Sequence, residues 1–166
     1  FVSITSFEGY KMFQKSKDED LKKDYIKAIK NDSLEDFIKS NMNNKIGGFA
    51  ALEVANKYFN EGNFKLASKY FNQSKISLGD SILMNRAILG EALSELKIDN
   101  KKGSLILEEI IARTDLLEST RAEAAYALAN IAFKNGNKEK SQELSEMVRS
   151  FNNPGIWLNR FSQFLN

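Results

Sequence analysis

Ser94-Glu95-Leu96-Lys97 has the spacing at which one helical face can present a hydroxyl nucleophile beside an amine. The companion Ser-Asp-Asn and Lys-Thr-Gly triplets are absent, so the spacing reads as an accident of a helical segment. Asp18-Glu19-Asp20 offers hard oxygen ligands, but it lacks the glycine turn and distal glutamate of a calcium loop and reads as a solvated charged face. Glu108 and Glu109 are adjacent, about 100° apart around a helix, which does not suit cooperative acid–base work. Asn31-Asp32-Ser33 and Asn72-Gln73-Ser74 match the glycosylation sequon, a short pattern that arises often in an Asn-rich chain and is given no role. The chain has His 0 and Cys 0, which removes imidazole bases, thiolate nucleophiles, structural zinc and cysteine-held iron–sulfur clusters. The expectation is a protein without catalytic residues, metal or cofactor.

The remaining chemistry is that of surfaces. At 166 residues and 42% apolar content the chain is long enough to bury a continuous core, as one domain. A net charge of +2 provides no basic field to hold a phosphate backbone, so nucleic acid is not an expected partner. Mean hydropathy is −0.41 and no apolar run reaches the roughly 18–20 residues that cross a bilayer. The first residues, Phe1-Val2-Ser3-Ile4-Thr5-Ser6-Phe7, are apolar for a terminus. Two readings stay open for them: the stub of a removed membrane segment, or a buried first helical turn.

Pro 1 and Gly 9 leave few breaks, and apolar residues recur at i, i+3, i+4 and i+7 with little alternation. An all-α chain is expected, with helices near 2–30, 33–42, 46–61, 64–77, 80–96, 101–113, 120–135, 138–151 and 154–165. Ser33 with Asp36 and Thr120 with Glu123 have capping-box spacing. Asn63 and Asp80 suit N-caps, while Gly62, Gly79 and Gly136 suit left-handed helix ends. Short turns make consecutive helices antiparallel neighbours. The expected division is an N-terminal helical extension over 1–45, then repeats and a C-terminal cap over 46–166 as one continuous domain.

The segment from Ala51 to Phe71 sets small residues, Ala55 and Ala67, where two helices would cross, and large ones at Val54, Tyr58, Phe64 and Phe71. Leu128, Ala129, Ala132, Phe133, Gly136, Asn137 and Ser141 repeat the layout, with Gly62 and Gly136 separated by 74 residues, about two periods of 34 plus an insertion. Leu89, Gly90, Leu93, Leu96, Gly103 and Leu107 fit a third copy with a turn lengthened around residues 98–102.

This pattern resembles the tetratricopeptide repeat, which implies an α-solenoid of antiparallel helical hairpins. Later copies depart from it: Lys138 and Ser145 stand where aromatics are expected, and Pro154 is the single proline. Over most of the chain, Asp24-Tyr25-Ile26-Lys27-Ala28-Ile29, Phe37-Ile38, Asn41, Asn44 and Gly47-Gly48-Phe49-Ala50-Ala51-Leu52-Glu53-Val54-Ala55 resemble the tetratricopeptide-like domain of the bacterial ancillary Sec translocon subunit. There the Gly pair follows a short helix as a turn, and Tyr10-Lys11-Met12-Phe13-Gln14-Lys15-Ser16-Lys17 is similar to the segment after a membrane helix. The resemblance implies a membrane-anchored scaffold or chaperone-like factor on the periplasmic side of the inner membrane. Unfolded protein segments, the Sec translocon or periplasmic chaperones would be its partners. A soluble cytoplasmic adaptor and a structural homo-oligomer are the alternatives.

In such repeats the first helix of each pair lines a concave groove. This selects Phe49, Leu52, Asn56, Phe59 and Asn60, then Met84, Glu91 and Glu95, then Tyr126, Asn130, Phe133 and Lys134. Aromatics would supply contact area and amides would satisfy the backbone of an extended peptide. Phe49→Ala with Tyr126→Ala is then expected to weaken client capture and leave helicity unchanged. After Pro154, placed at a first helical turn, Trp157, Phe161 and Phe164 gather on one side as a solenoid cap, a docking helix for a partner or a homodimer contact.

Overall fold

The computed structural model describes residues 9–11, 13–15, 18–79 and 81–164, the last two of these by backbone alone. Among the described residues there is no strand, and the all-α expectation holds. The apolar stretch Phe1–Phe7 and the Asp80 cap lie outside the described residues, as do Met12, Ser16 and Lys17 of the segment compared with a post-membrane stalk. No helix among the described residues is long and apolar enough to cross a membrane. The chain divides into two compact units, up to Ile98 and from Asp99 onward.

The first unit contains α1 (Glu19–Lys30), α2 (Leu34–Ser40), α3 (Lys45–Asn60), α4 (Phe64–Leu78) and α5 (Ile82–Ile98). One helix over 2–30 was expected, but Asp18 breaks it: its backbone is extended and its carboxylate accepts from Leu21 N–H at 2.9 Å, starting α1 afresh. Tyr25, Ala28, Phe37 and Ile38 of α1 and α2 enter the same core as Ile46, Leu52 and Ala55 of α3 and Ala67, Tyr70 and Phe71 of α4. Ser33 precedes α2 without capping it, contrary to its capping-box spacing. Its N–H instead closes the end of α1 on Ala28 O at 2.9 Å, and that role sets its backbone.

The second unit contains α6 (Asn100–Ala112), α7 (Glu118–Lys134), α8 (Lys138–Arg149), the short α9 (Trp157–Arg160) and a 3₁₀ turn (Phe161–Phe164). Here α7 begins after Leu117, so Thr120 and Glu123 lie inside it, 2% and 4% exposed, instead of capping it. Pro154 precedes α9 by three residues and is not in its first turn. The expected lengthened turn around 98–102 is one residue, Asp99, whose carboxylate accepts from Lys102 N–H at 3.0 Å. That residue opens the second unit, so the halves of the proposed third copy fall in different units.

The α3–α4 and α7–α8 hairpins repeat one another bond for bond. Gly62 N–H donates to Phe59 O at 3.1 Å and Asn63 N–H to Tyr58 O at 2.8 Å; 74 residues on, Gly136 N–H donates to Phe133 O at 3.0 Å and Asn137 N–H to Ala132 O at 2.8 Å. Both glycines take the left-handed conformation, φ +79° and +78°, that this helix ending requires. Asn63 and Asn137 then cap the next helix, accepting from Leu66 and Lys140 N–H. The crossing residues Ala55 and Ala67 recur as Ala129 and Ser141, all fully buried. Ser141 fits because its hydroxyl donates to Ala129 O at 2.9 Å.

Ser145, at the position of Phe71, is also fully buried, but its hydroxyl has no hydrogen-bond partner among the described residues. Desolvating an unpaired hydroxyl is costly, and alanine removes the cost while favouring helix. Ser145→Ala is expected to stabilise the second unit by about 1 kcal/mol. Urea unfolding followed by the fluorescence of the single Trp, Trp157, checks this, and an unchanged or lowered midpoint would mean that the hydroxyl is satisfied.

Candidate functional site

The residues expected to line a groove fall into three groups. Phe49 and Leu52 are core: Leu52 is 1% exposed, and the Phe49 ring, 8% exposed, lies 6.2 Å from that of Tyr25. Tyr126 is similarly occupied, 5.3 Å from Trp157 and 5.6 Å from Phe161. Phe161 is 1% exposed and Trp157 9%, so the cap residues form the second unit's own aromatic core, with Arg160 over the Trp157 ring. The side chain of Phe164 lies outside the described residues.

The second group ties helices together. Glu91 on α5 accepts from Asn72 at 2.9 Å and Lys75 at 2.6 Å, both on α4, and Glu95 accepts from Ser68 at 2.6 Å. Met84 packs half-buried against the core of the first unit.

The third group is partly open and follows the repeat. Asn56, Phe59 and Asn60 share one face of α3 by i, i+3, i+4 spacing, and Asn130, Phe133 and Lys134 hold the equivalent positions on α7. Asn56 and Asn130 are half-buried, Asn60 and Lys134 exposed. Phe59 closes its hairpin edge-on against Phe64 and Phe71, 5.3 and 6.5 Å away. In the other hairpin those partner positions are Lys138 and Ser145, and Phe133 is 36% exposed. Loss of the repeat's aromatics therefore coincides with exposure of the ring they would have covered.

A second feature was not anticipated from sequence. The end of α1, the start of α2 and the middle of α3 enclose a cleft of about 260 Å³ lined by Ile29, Leu34 and Val54 together with Asp32, Glu35, Glu53, Lys57 and Tyr58. Its geometry starts from Asp32, whose backbone is left-handed at φ +52°, a conformation that Gly62 and Gly136 supply at the two repeat turns. Glu35 accepts from the Tyr58 hydroxyl through Oε1 and from the Tyr70 hydroxyl through Oε2 at 2.6 Å, and the two tyrosine rings stack 5.7 Å apart. These hydrogen bonds hold the Glu35 carboxyl below its usual range. Glu53 lies deeper: burial pushes its carboxyl up, against one hydrogen bond from the Tyr25 hydroxyl to Oε2. Burial, followed by the charge of Glu53, pushes the Tyr25 hydroxyl well up in turn.

The raised Glu53 has a consequence for stability. From its ordinary value of 4.5 up to its folded value, the folded chain keeps a proton that the unfolded chain releases, so stability falls as pH rises through that window. Glu53→Gln keeps an acceptor for Tyr25 and removes the ionisation. Its melting temperature is expected to match the parent in acid and to exceed it increasingly as pH rises above the usual carboxylate range. A constant offset across the titration would contradict the shift.

No group of His, Cys, Asp and Glu able to hold a metal ion occurs among the described residues. What the open positions and the cleft offer is contact: amides and an aromatic on two matching helix faces, and a small pocket with an aliphatic floor and carboxylate walls. Comparison with known proteins returns no matching family model, no matching characterised protein and no matching solved structure.

Proposed function

We propose that this chain is a noncatalytic protein-interaction module of tetratricopeptide-like hairpins, working as the envelope-facing domain of a membrane-anchored, chaperone-like factor of protein secretion. The observation that carries the reading is the recurrence, 74 residues apart, of one hairpin with one open strip, Asn56–Phe59–Asn60 on α3 and Asn130–Phe133–Lys134 on α7. Carboxamides match the donors and acceptors of an extended backbone, and an aromatic ring adds sequence-tolerant contact area. Such a strip favours unfolded segments over one defined surface. The resemblance of the segment from Asp24 to Ala55 supports the secretory setting. A homo-oligomer built through Trp157 and Phe161 is disfavoured, because those rings are spent on Tyr126.

The test is photo-crosslinking in cells from Asn56 and Asn130, with the buried Ala124 as control. Adducts with secreted polypeptides or translocon components at both positions, lost on Phe133→Ala, are expected. Adducts only between copies of this chain, or none beyond the control, would overturn the proposal.

A further inference from the structure

The cleft in the first unit has a more specific chemistry than the amide strip. Its volume of about 260 Å³ falls below the roughly 300–1,000 Å³ of pockets for drug-sized ligands, which fits one side chain. Ile29, 48% exposed, joins Leu34 and Val54 as an aliphatic floor. Of the carboxylates, Asp32 has Lys57 Nζ at 3.7 Å. Among the described residues neither Glu35 nor Glu53 has an ion pair within 4 Å; Glu35 has two hydroxyl donors with Lys39 and Lys69 nearby, whereas Glu53 has one hydroxyl donor and its Oε1 has no hydrogen bond. Burying a carboxylate without a cation is unfavourable, and an incoming ammonium offsets that cost directly.

We propose that this cleft receives a lysine side chain of an extended polypeptide, its methylenes against Ile29, Leu34 and Val54 and its ammonium between Glu53 and Glu35. The inference rests on the reading of the chain as a polypeptide-binding module and names the side chain that the module selects. Lysine suits the site better than arginine: a flexible apolar stem ends in a compact charge, whereas the bidentate fork that favours a guanidinium would share Glu53 Oε2 with the Tyr25 hydroxyl. Lys57 is the internal competitor. It lies four residues after Glu53 on α3, the favourable order for pairing, yet it reaches Asp32.

Calorimetry on the full chain tests this with three probes: a capped, unstructured peptide carrying one lysine, the same peptide with norleucine there, and n-butylamine. The lysine peptide is expected to bind about tenfold more tightly than the norleucine peptide, as for a charge-assisted hydrogen bond. Glu53→Gln brings that ratio to about one while the chain still melts cooperatively, and Lys57→Met raises lysine-peptide affinity a few-fold by removing the competitor. Equal binding of the two peptides overturns the lysine proposal and leaves polypeptide binding standing. Butylamine binding as tightly as the lysine peptide identifies a free-amine site and overturns the lysine proposal, while the wider function stays with the crosslinks. Binding by none of the probes overturns the proposal, with the crosslinks from Asn56 and Asn130 deciding the wider function separately.

Discussion

Phe49→Ala will destabilise the first unit by about 3–5 kcal/mol, the usual cost of truncating a buried aromatic. The ring is 8% exposed, faces Tyr25, and lies so close to Gly9 that a Cβ there would come within 2.1 Å of Phe49 Cε2. Packing against Tyr25 and Gly9 leaves the ring no route to a groove. Urea unfolding followed by circular dichroism should show an early loss of helicity. If helicity and midpoint are unchanged while client capture falls, Phe49 lines a groove and the core is wrongly drawn. The expectation that Phe49→Ala with Tyr126→Ala would weaken capture at constant helicity is replaced by this one, and Phe133→Ala takes over as the informative surface variant.

Gly47→Ala is the second large effect, and its sign opposes helix propensity. Alanine inside a helix gains up to about 1 kcal/mol over glycine. At position 47, however, a Cβ would stand 1.9 Å from Asn41 O and 2.7 Å from Asn41 C, both backbone atoms that cannot swing aside. Moving them disturbs the turn in which Asn44 caps α3 by accepting from Gly47 N–H at 2.8 Å. A net destabilisation of about 3 kcal/mol is expected, at the upper end for overpacking. A stable Gly47→Ala variant, measured by the same unfolding experiment, would show that α2 and α3 approach less closely than described.

These two residues show what could and could not be read from the chain. The hairpin turns were legible because their determinants are local: a glycine free to take positive φ, then an asparagine that caps the next helix. Two such pairs 74 residues apart disclosed the repeat. The glycine pair, a turn by the resemblance although a helix was expected over 46–61, shows the converse. Gly47 and Gly48 lie inside α3, and what they admit is close approach, of the Asn41 backbone at one and of Ser77 and Leu78 at the other.

Groove and core were confused on α3 because Phe49, Leu52, Asn56 and Phe59 follow one another on a single helical stripe. Periodicity says that a stripe faces a neighbour, not where along the helix that neighbour ends. Thr120 and Glu123 had cap spacing, which carries no information about burial. The cleft left no local signal at all, since Ile29, Glu35 and Glu53 come from three helices and Tyr70, which holds Glu35, from a fourth.

The central claim is that two matching helix faces bind extended polypeptide through their amides. Side-chain amide signals of Asn56, Asn60 and Asn130, followed by nuclear magnetic resonance while a permanently unfolded polypeptide is added, test it most directly. Asn56 with Asn60 in the first unit, and Asn130 in the second, should each shift and saturate, with the backbone signals of Ala50 and Ala124 unmoved. Saturable binding that leaves the three amides in place, or no binding at all, would contradict the claim.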